Sequence, residues 1–213
     1  MPYDEYQTIS GISETNLIVK KSRFIGLSAS VSSIREINDF LDYARTEYPK
    51  ASHYCYAYSI GLDDKKREYS ADAGEPTNSA GPPILTAISS SGLNNLICVV
   101  IRYFGGIKLG IGGLIRAYGK CARECLKSAS IETRIFYQTF CIRTPYQHLG
   151  SVLNLLNKLR ARIVDVASDE EEAKVMLQIR QSMIDKLREG LKQFGNYENV
   201  GIITDFHTFL LPK

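Results

Sequence analysis

The sequence predicts an α+β protein of two domains, and three observations support this prediction. Apolar runs with strand character alternate with segments of helical periodicity. Residues 96–118 join one such strand to one such helix through a glycine-rich loop. From about Arg134 the pattern becomes β-α-β-β-α-β, the order of a ferredoxin-like unit. We therefore expect domains at residues 1–132 and 133–213, the second with its helices on one face of an antiparallel sheet.

The composition is that of an ordinary globular protein. Apolar residues make up 44% and charged residues 23% of the 213 residues, which is enough to build a core. The net charge of +3 is too small to indicate nucleic-acid binding, so any argument from charge has to be local. No apolar run approaches the roughly 20 residues that cross a bilayer, and the N-terminus lacks the apolar segment of a signal peptide. We expect a cytoplasmic protein without a membrane partner.

The first elements are two strands and a helix. Residues 3–9 and 16–30 have strand patterns. The second segment contains a short basic cluster: Lys20, Lys21 and Arg23. This cluster is either a solvated strand edge or a patch that contacts phosphate. A helix is predicted over residues 34–48, with Ser33 and Glu36 as a capping box.

Residues 53–60 are predicted as a strand on which two sets of side chains alternate. One face carries three tyrosines, which either stack nucleobases or form a half-buried sheet face: Tyr54, Tyr56 and Tyr58. The other face carries His53 and Cys55. Two such ligands without a second cluster give little support for a metal, and we predict neither a metal nor a cofactor. The five cysteines include no C-x-x-C pair and are typical of core residues in a reducing compartment.

Residues 61–83 form a polar loop rich in turn-forming residues, followed by a helix over residues 84–91 that ends at Gly92. Asp72 and Glu75 in this loop could act as acid or base, one of them could cap the helix, or both could be solvated. No residue is assigned as catalytic. The weak candidates for acid-base chemistry are His53, Asp72 and Glu75.

The segment from residue 96 to 126 is a buried strand, a glycine-rich loop and a helix whose apolar face is predicted to include Leu114, Ile115 and Tyr118. Backbone N–H groups at the helix N-terminus and the cation of Lys108 suit an anion. The spacing of a P-loop is absent, and no acidic residue completes a dinucleotide-binding pattern. Arg116, Lys120 and Arg123 share one helix face, which is either solvated or part of a phosphate-binding surface. The candidate anion- or nucleic-acid-binding residues are Lys20, Lys21, Arg23, Tyr54, Tyr56, Arg102, Tyr103, Gly105, Gly106, Lys108, Gly110, Gly112, Gly113, Arg116 and Lys120.

In the second domain a strand over residues 134–143 leads into a helix with Thr144 as N-cap and Pro145 at its first position. The remaining predicted elements are strands at 161–167 and 173–180, a helix at 183–194 and a strand at 200–211. The polar residues of this domain form no chemical constellation in the sequence.

Four motifs in the first domain resemble the Impact/YigZ family. They are K-K-S-R-F-I at 20–25, A-S-H-Y-C-Y-A-Y at 51–58, D-A-G-E-P-T-N-S-A-G-P-P at 72–83 and I-R-Y-F-G-G-I-K-L-G-I-G-G-L-I-R-A-Y at 101–118. The resemblance implies a first domain with a mixed sheet, similar to the second domain of a small-subunit ribosomal protein. It implies a second domain similar to the last domain of elongation factor G. Both analogues work on RNA, and eukaryotic relatives regulate translation by blocking activation of a starvation-sensing kinase.

The third motif departs from the family pattern, which reads close to S-D-D-G-E-P-x-G-T-A-G. The departures are Ala71, Ala73, Asn78 and Ser79. A metal site on adjacent aspartates is therefore not expected here, although Glu75 and Pro76 indicate that the turn itself is kept.

Three functions remain open at this point. The first is a binding protein for RNA or the ribosome that regulates translation or a stress response. The second is a protein-interaction regulator of a translation-control kinase pathway. The third is a small-molecule or phosphate-ligand enzyme that uses the loop of Asp72 and Glu75, which rests on fold analogy alone. We expect binding through Lys108 and Arg116 rather than catalysis.

Overall fold

The computed structural model describes residues 4–61, 66–168 and 172–192, together with the backbone of residues 208–210. The chain forms two compact units, one of residues 7–133 and one that combines residues 1–6 with residues 134–213. Each unit holds an antiparallel sheet with helices, which confirms the α+β class. Among the described helices, none combines the length and apolar character that spanning a bilayer requires.

The unit of residues 7–133 is built on a five-stranded sheet. Its strands, in chain order, are β2 (Ile12–Val19), β3 (Ser22–Ser30), β4 (His53–Ile60), β5 (Arg67–Ala71) and β6 (Leu96–Tyr103). They lie in the order β2-β3-β6-β4-β5. Every described pairing is antiparallel, whereas the resemblance implied a mixed sheet. The three helices of this unit are α1 (Ile34–Glu47), α2 (Gly81–Ser91) and α3 (Ile111–Ser128).

The central strand β6 is buried on both faces, since helices cover both sides of the sheet. Its apolar run therefore does not alternate with polar residues. Ile97, Val99 and Ile101 pack into the cluster that includes α1. Cys98 and Val100 pack into the cluster that includes α2 and α3. Polar side chains near the end of β6 can therefore meet only if they lie on the same face of the sheet.

The segment predicted as one strand over residues 16–30 is instead a hairpin. Strand β2 ends at Val19 and β3 begins at Ser22, and the two pair along their whole length. Lys20 and Lys21 form the two-residue turn, with φ of 44° and 67°. Two consecutive residues with positive φ give the turn that matches the twist of a hairpin. The signal was missed because glycine and asparagine are the usual residues in such a turn, not lysine.

The helix ends follow the predicted signals with small shifts. The Ser33 hydroxyl accepts a hydrogen bond from the backbone of Glu36, as predicted, but the Glu36 carboxylate accepts from the backbone N–H of Ser32. Gly92 ends α2 with φ of 75°, which confirms the predicted glycine cap. Helix α2 begins three residues earlier than predicted, at Gly81. The preceding loop contains strand β5, which the sequence pattern did not indicate.

The second unit confirms the β-α-β-β-α-β order. Its elements are β7 (Ile131–Pro145), α4 (Tyr146–Lys158), β8 (Arg162–Ser168), β9 (Glu172–Arg180), α5 (Ile184–Lys192) and β10 (Thr208–Leu210). The sheet has the order β1-β7-β9-β8, where β1 is Glu5–Ile9, and β10 also pairs with β7. Thr144 belongs to strand β7, and the N-cap of α4 is Pro145 rather than Thr144. The predicted helix at 183–194 and strand at 200–211 lie partly outside the described residues.

Candidate functional site

A cluster of polar side chains meets at one buried carboxylate in the unit of residues 7–133. Oε1 of Glu75 accepts a hydrogen bond from Nη1 of Arg102 at 2.6 Å and another from the hydroxyl of Tyr118 at 2.7 Å. Nε2 of His53 lies 3.9 Å from the same oxygen. The side chains of Glu75 and Arg102 are only 3% and 6% exposed. A buried charge pair of this kind persists because each partner compensates the other.

Four separate segments bring these groups together. His53 begins β4 and lies opposite Arg102 near the end of β6. Alternation along the two strands directs both side chains to the face covered by α2 and α3. Tyr118 projects from α3, and Glu75 lies in the turn between β5 and α2. The turn is thereby fastened to the end of the central strand.

Arg102 is enclosed on several sides. Its guanidinium carbon lies 5.5 Å from the ring centroid of Phe24 and 5.3 Å from that of Phe104. Nη2 donates to the Ser22 hydroxyl at 3.4 Å, while the buried Nε has no hydrogen-bond partner in the structure. Aromatic faces stabilise a desolvated guanidinium. Arg102, predicted as a surface cation for an anion, is buried and matched by Glu75, so it supports the fold of the site instead.

Asp72 is a helix cap. Its carboxylate accepts hydrogen bonds from the backbone N–H groups of Asn78, Ala80 and Gly81, each at 2.8 Å. Burial by itself raises the pKa of Asp72, but these backbone hydrogen bonds outweigh it and the pKa is lowered. Of the alternatives that the sequence left open, capping α2 is the one observed. The negative charge of Asp72 therefore lies at the N-terminus of α2, where it interacts favourably with the helix dipole.

The turn that follows Asp72 contains three of the four departures from the family pattern, and two of them have unusual backbone angles. Ala73 and Asn78 both have positive φ, 45° and 61°. Asparagine tolerates this conformation well, and alanine less so. In this turn the left-handed conformation is therefore taken by two residues other than glycine.

The Cys55 thiol and the Tyr118 hydroxyl near the carboxylate stay protonated. Burial raises the pKa of the Cys55 thiol to about 12, and burial also raises the pKa of Tyr118. The Cys55 thiol donates to the carbonyl of Asp72 at 2.9 Å. Nδ1 of His53 lies 3.1 Å from the carbonyl of Ala73. A thiol that stays protonated is a poor nucleophile, so the cluster is suited to holding structure rather than to covalent catalysis.

The glycine-rich loop after β6 lies against the hairpin turn. A Cβ on Gly105 would be 2.1 Å from the carbonyl carbon and oxygen of Lys21, so only glycine fits there. The backbone N–H of Gly105 donates to the hydroxyl of Ser22. Gly106 and Gly110 have φ of 84° and 70°, a region that favours glycine. This contact places the exposed Lys20 and Lys21 beside the loop that carries Lys108.

The loop leads into an uncapped helix N-terminus. The N-cap of α3 is Gly110, which provides no side-chain hydrogen bond, and the first turn has no acidic residue. Arg116 is exposed. Its guanidinium lies over Gly112, since Nη1 would be 3.6 Å from a Cβ added to that glycine. The charge of Arg116 is therefore close to the first turn of α3. We call this surface the basic edge. It consists of Lys20, Lys21, Lys108, Arg116 and the start of α3 at residues 110–113.

The remaining predicted side chains make contacts of their own within the unit of residues 7–133. Tyr54, Tyr56 and Tyr103 pack on the sheet face that α1 covers. The hydroxyl of Tyr54 donates to the carbonyl of Tyr48 at 2.6 Å, and that of Tyr103 donates to the carbonyl of Pro49. Nε of Arg23 donates to the side chain of Asn16. Lys120 lies 3.7 Å from Glu124 on the same helix.

Sequence reasoning missed three residues of the site: Ser22, Phe104 and Tyr118. The pattern treated Tyr118 as part of the apolar face of α3, and it is fully buried. Its hydroxyl was the available signal, because a buried tyrosine usually finds a hydrogen-bond partner. Ile115 was placed on the same apolar face, yet it is 41% exposed. A helical wheel fixes the angle between two side chains but not the edge of the buried stripe.

Comparisons with known proteins add to this geometry. Residues 20–126 match the Impact N-terminal domain family. The chain is 32% identical over 162 residues to IMPACT family member YigZ of Escherichia coli, covering 76% of this chain and 78% of that protein. It is 35% identical over 165 residues to IMPACT family member YvyE of Bacillus subtilis, covering 78% of this chain and 76% of that protein. The crystal structure of a hypothetical protein aligns with this chain over the full length of both, with a TM-score of 0.72 and 24% sequence identity. This similarity shows a shared fold.

Proposed function

This chain belongs to the Impact family, and we propose that it binds RNA through the basic edge and acts in the regulation of translation. The observation that carries the proposal is the packing of Gly105 against Lys21. This contact joins into one basic surface two loops whose contacting residues are 84 positions apart in sequence. The translation role follows from the ribosomal analogues that the family resemblance implies.

The chemistry of the basic edge suits phosphate. Backbone N–H groups at the start of α3 are free of a side-chain cap, and a helix N-terminus attracts negative charge. Lys20, Lys21 and Lys108 are exposed around it. Contacts of this kind position a nucleic-acid backbone without reading its sequence. We therefore expect binding with little sequence preference and a steep dependence on salt.

The buried cluster around Glu75 is linked by hydrogen bonds to the glycine-rich loop of the basic edge. Ser22 accepts hydrogen bonds from both Gly105 and Arg102, and Arg102 is held in turn by Glu75. The loop therefore rests on a fixed ion pair. A preorganised surface loses less conformational entropy when a ligand binds.

The experiment is a titration of a labelled mixed-sequence RNA at several salt concentrations. Replacing Lys108 and Arg116 together by alanine is expected to weaken binding to all sequences and to reduce the slope of log K against log salt by about 2. The matched control replaces Arg35 and Arg45 on α1, which removes the same charge from another exposed surface of the same unit. Absence of measurable RNA binding at low salt in the wild type would remove the proposal. Co-sedimentation with ribosomes over the same salt series tests the link to translation.

A second candidate function, protein interaction, is favoured by exposed apolar side chains on the same loop and helix. Phe104, Ile107, Ile111 and Ile115 are 49%, 42%, 59% and 41% exposed. Apolar side chains clustered on a surface are typical of protein interfaces. Changing Ile107 and Ile115 to serine distinguishes the two functions. Loss of a ribosomal or regulatory protein partner with RNA affinity unchanged would support protein interaction as the main role.

A further inference from the structure

The sheet of the unit of residues 7–133 ends at strand β2 on one side. In the order β2-β3-β6-β4-β5 this strand has one neighbour, β3, and within the described part of the chain no strand pairs with its outer side. Alternate residues of β2 therefore direct their backbone N–H and C=O groups away from the sheet. Groups of this kind can pair with a further strand. We call this side of β2 the outer edge.

The outer edge lacks the features by which edge strands usually avoid pairing. Natural edges are commonly short, interrupted by a bulge, or protected by proline and lysine. Strand β2 has eight residues, contains neither proline nor lysine, and pairs with β3 in one uninterrupted register. Its one charged residue is Glu14. The strand is therefore long and regular enough to accept a partner strand.

The exposed side chains of β2 follow a symmetric order. Leu17 and Val19 pack against the cluster that includes α2 and α3, so the residues between them and before them point to the opposite face. Those residues are all exposed, and in chain order they are Ile12, Glu14, Asn16 and Ile18. The two isoleucines are 52% and 74% exposed. An apolar residue thus lies at each end of the face, with two polar residues between them.

This order is complementary to itself when the strand is reversed. In an antiparallel pair, residues directly opposite each other point to the same face of the sheet. With Thr15 opposite Thr15 of a second copy, Ile12 lies opposite Ile18 and Glu14 lies opposite Asn16. Two-fold symmetry makes each of these pairs occur twice. The four exposed side chains of one copy are therefore matched by the same four of the other.

Glu14 and Asn16 have the chemistry to pair across such an interface. Within one strand Nδ2 of Asn16 donates to Oε1 of Glu14 at 3.1 Å, and Oδ1 of Asn16 accepts from Arg23. Glu14 also lies near Tyr48 at the end of α1. An amide nitrogen carries two hydrogens and a carboxylate accepts several hydrogen bonds, so these contacts leave capacity for a second copy.

The neighbouring registers match less well. Side chains stay on their own face only when the register shifts by two residues at a time. One such shift places Glu14 opposite Glu14 of the second copy, and directly opposed like charges destabilise a strand pair. The other shift places Ile18 opposite Glu14 and Ile12 opposite Lys20. The register centred on Thr15 is the one that joins apolar to apolar residues and separates the carboxylates.

We propose that the chain forms a two-fold symmetric dimer through the outer edge, with the sheets of both copies joined into one and Thr15 at the axis. About six to eight backbone hydrogen bonds and two pairs of isoleucines connect the copies. The axis is perpendicular to the sheet, so α3 lies on the same side in both copies. The strands run in opposite directions, so the two hairpin turns that follow β2 lie about 30 Å apart.

The first test is sedimentation equilibrium of the full chain without RNA. We expect the wild type to dimerise with a Kd on the order of 10 µM, as for a small interface. Ile18→Lys places a charge opposite Ile12 of the second copy at two positions and is expected to weaken the dimer at least about 10-fold. The control is Ile34→Lys, at a 49% exposed isoleucine that begins α1, and it should dimerise as the wild type does. A wild type that is monomeric up to about 500 µM, or equal effects of the two variants, overturns the proposal.

The second test exchanges the polar pair and examines the register. Asn16→Glu places a glutamate opposite Glu14 at two positions and is expected to dissociate the dimer. Glu14→Lys combined with Asn16→Glu places lysine opposite glutamate and should restore it. Either two-residue shift would instead oppose lysine to lysine or glutamate to glutamate. With folding checked by circular dichroism, a double variant that stays monomeric overturns the register on which the proposal depends.

A third measurement needs no variant and applies if a substitution prevents folding. Hydrogen exchange of the wild type is followed over the same concentrations. The amides of β2 that point outward should exchange more slowly as the protein concentration rises, while the amides of β5 at the other edge of the sheet should not change. Exchange in β2 that does not depend on concentration overturns the dimer. All three tests are made without RNA, so their outcome is separate from that of the RNA titration.

Discussion

Two loop-to-helix junctions in the unit of residues 7–133 differ in what meets the helix N-terminus. At α2 the carboxylate of Asp72 accepts hydrogen bonds from Ala80 and Gly81, so the anion is part of the chain. At α3 the N-cap is Gly110, no side chain caps the turn, and the neighbouring Lys108 is basic. Both helix termini attract negative charge. The junction at α2 is completed by a carboxylate of the chain itself and serves stability, whereas the junction at α3 is left without one and is where we propose that an external anion binds.

The largest effect is expected from Gly105→Ala, which attacks the junction at α3 through the backbone. The added Cβ would overlap the carbonyl group of Lys21 at 2.1 Å, and neither backbone segment can move without disturbing the sheet. We expect a loss on the order of 4 kcal/mol in the free energy of unfolding, measured by urea denaturation. Gly106→Ala is the control, since only its positive φ is strained, and it should cost about 1 kcal/mol. Equal losses in the two variants would show that the contact with Lys21 is not rigid.

Glu75→Gln is expected to have the next largest effect, because it leaves the charge of Arg102 buried without an opposite charge. The side chains are 3% and 6% exposed, so solvent does not compensate the missing carboxylate. We expect a loss of about 3 kcal/mol in urea denaturation. The double variant Glu75→Leu with Arg102→Met removes both charges and should recover most of that loss. A double variant no more stable than Glu75→Gln would mean that hydrogen bonding, not charge, is what the pair contributes.

Asp72→Ala opens the junction at α2 and makes it resemble the one at α3. Loss of a helix cap should cost about 1 kcal/mol at pH 7. The folded-state pKa of Asp72 is lowered, so its contribution is present above the unfolded value of about 3.9 and is lost as the pH falls through the folded value. The difference between wild type and variant in urea midpoint should therefore shrink as the pH falls below about 4. A difference that stays constant down to pH 2 would contradict the cap as its origin.

Ile111→Glu gives the smallest expected change and makes the junction at α3 resemble the one at α2. Ile111 is the first residue of α3 and is 59% exposed, so a carboxylate fits there without loss of packing. We expect a gain of about 0.5 kcal/mol in unfolding free energy and weaker RNA binding. Ile111→Gln is the uncharged control. Unchanged RNA affinity in the glutamate variant would count against the start of α3 as a phosphate contact.

Most of the secondary structure and the class of the fold follow from local sequence patterns. Local signals were sufficient where one residue type has one dominant effect. Ser33 as an N-cap and Gly92 as a C-cap are examples, and so is the β-α-β-β-α-β order of the second unit. The glycine-rich loop before α3 was also evident, because closely spaced glycines mark a loop wherever they occur.

Which charged side chains are exposed depends on contacts between distant parts of the chain. Arg102 and Lys108 are six residues apart and looked equivalent in sequence, yet one is paired with Glu75 in the interior and the other is exposed. The pairing of Arg102 depends on the carboxylate of Glu75, which is 27 residues away in sequence. That carboxylate is held in turn by Tyr118, which is 43 residues from Glu75. The hairpin turn at Lys20 and Lys21 also lies beside the glycine-rich loop only because β3 pairs with β6. Burial and ion pairing arise from contacts across the fold, and no local pattern encodes them.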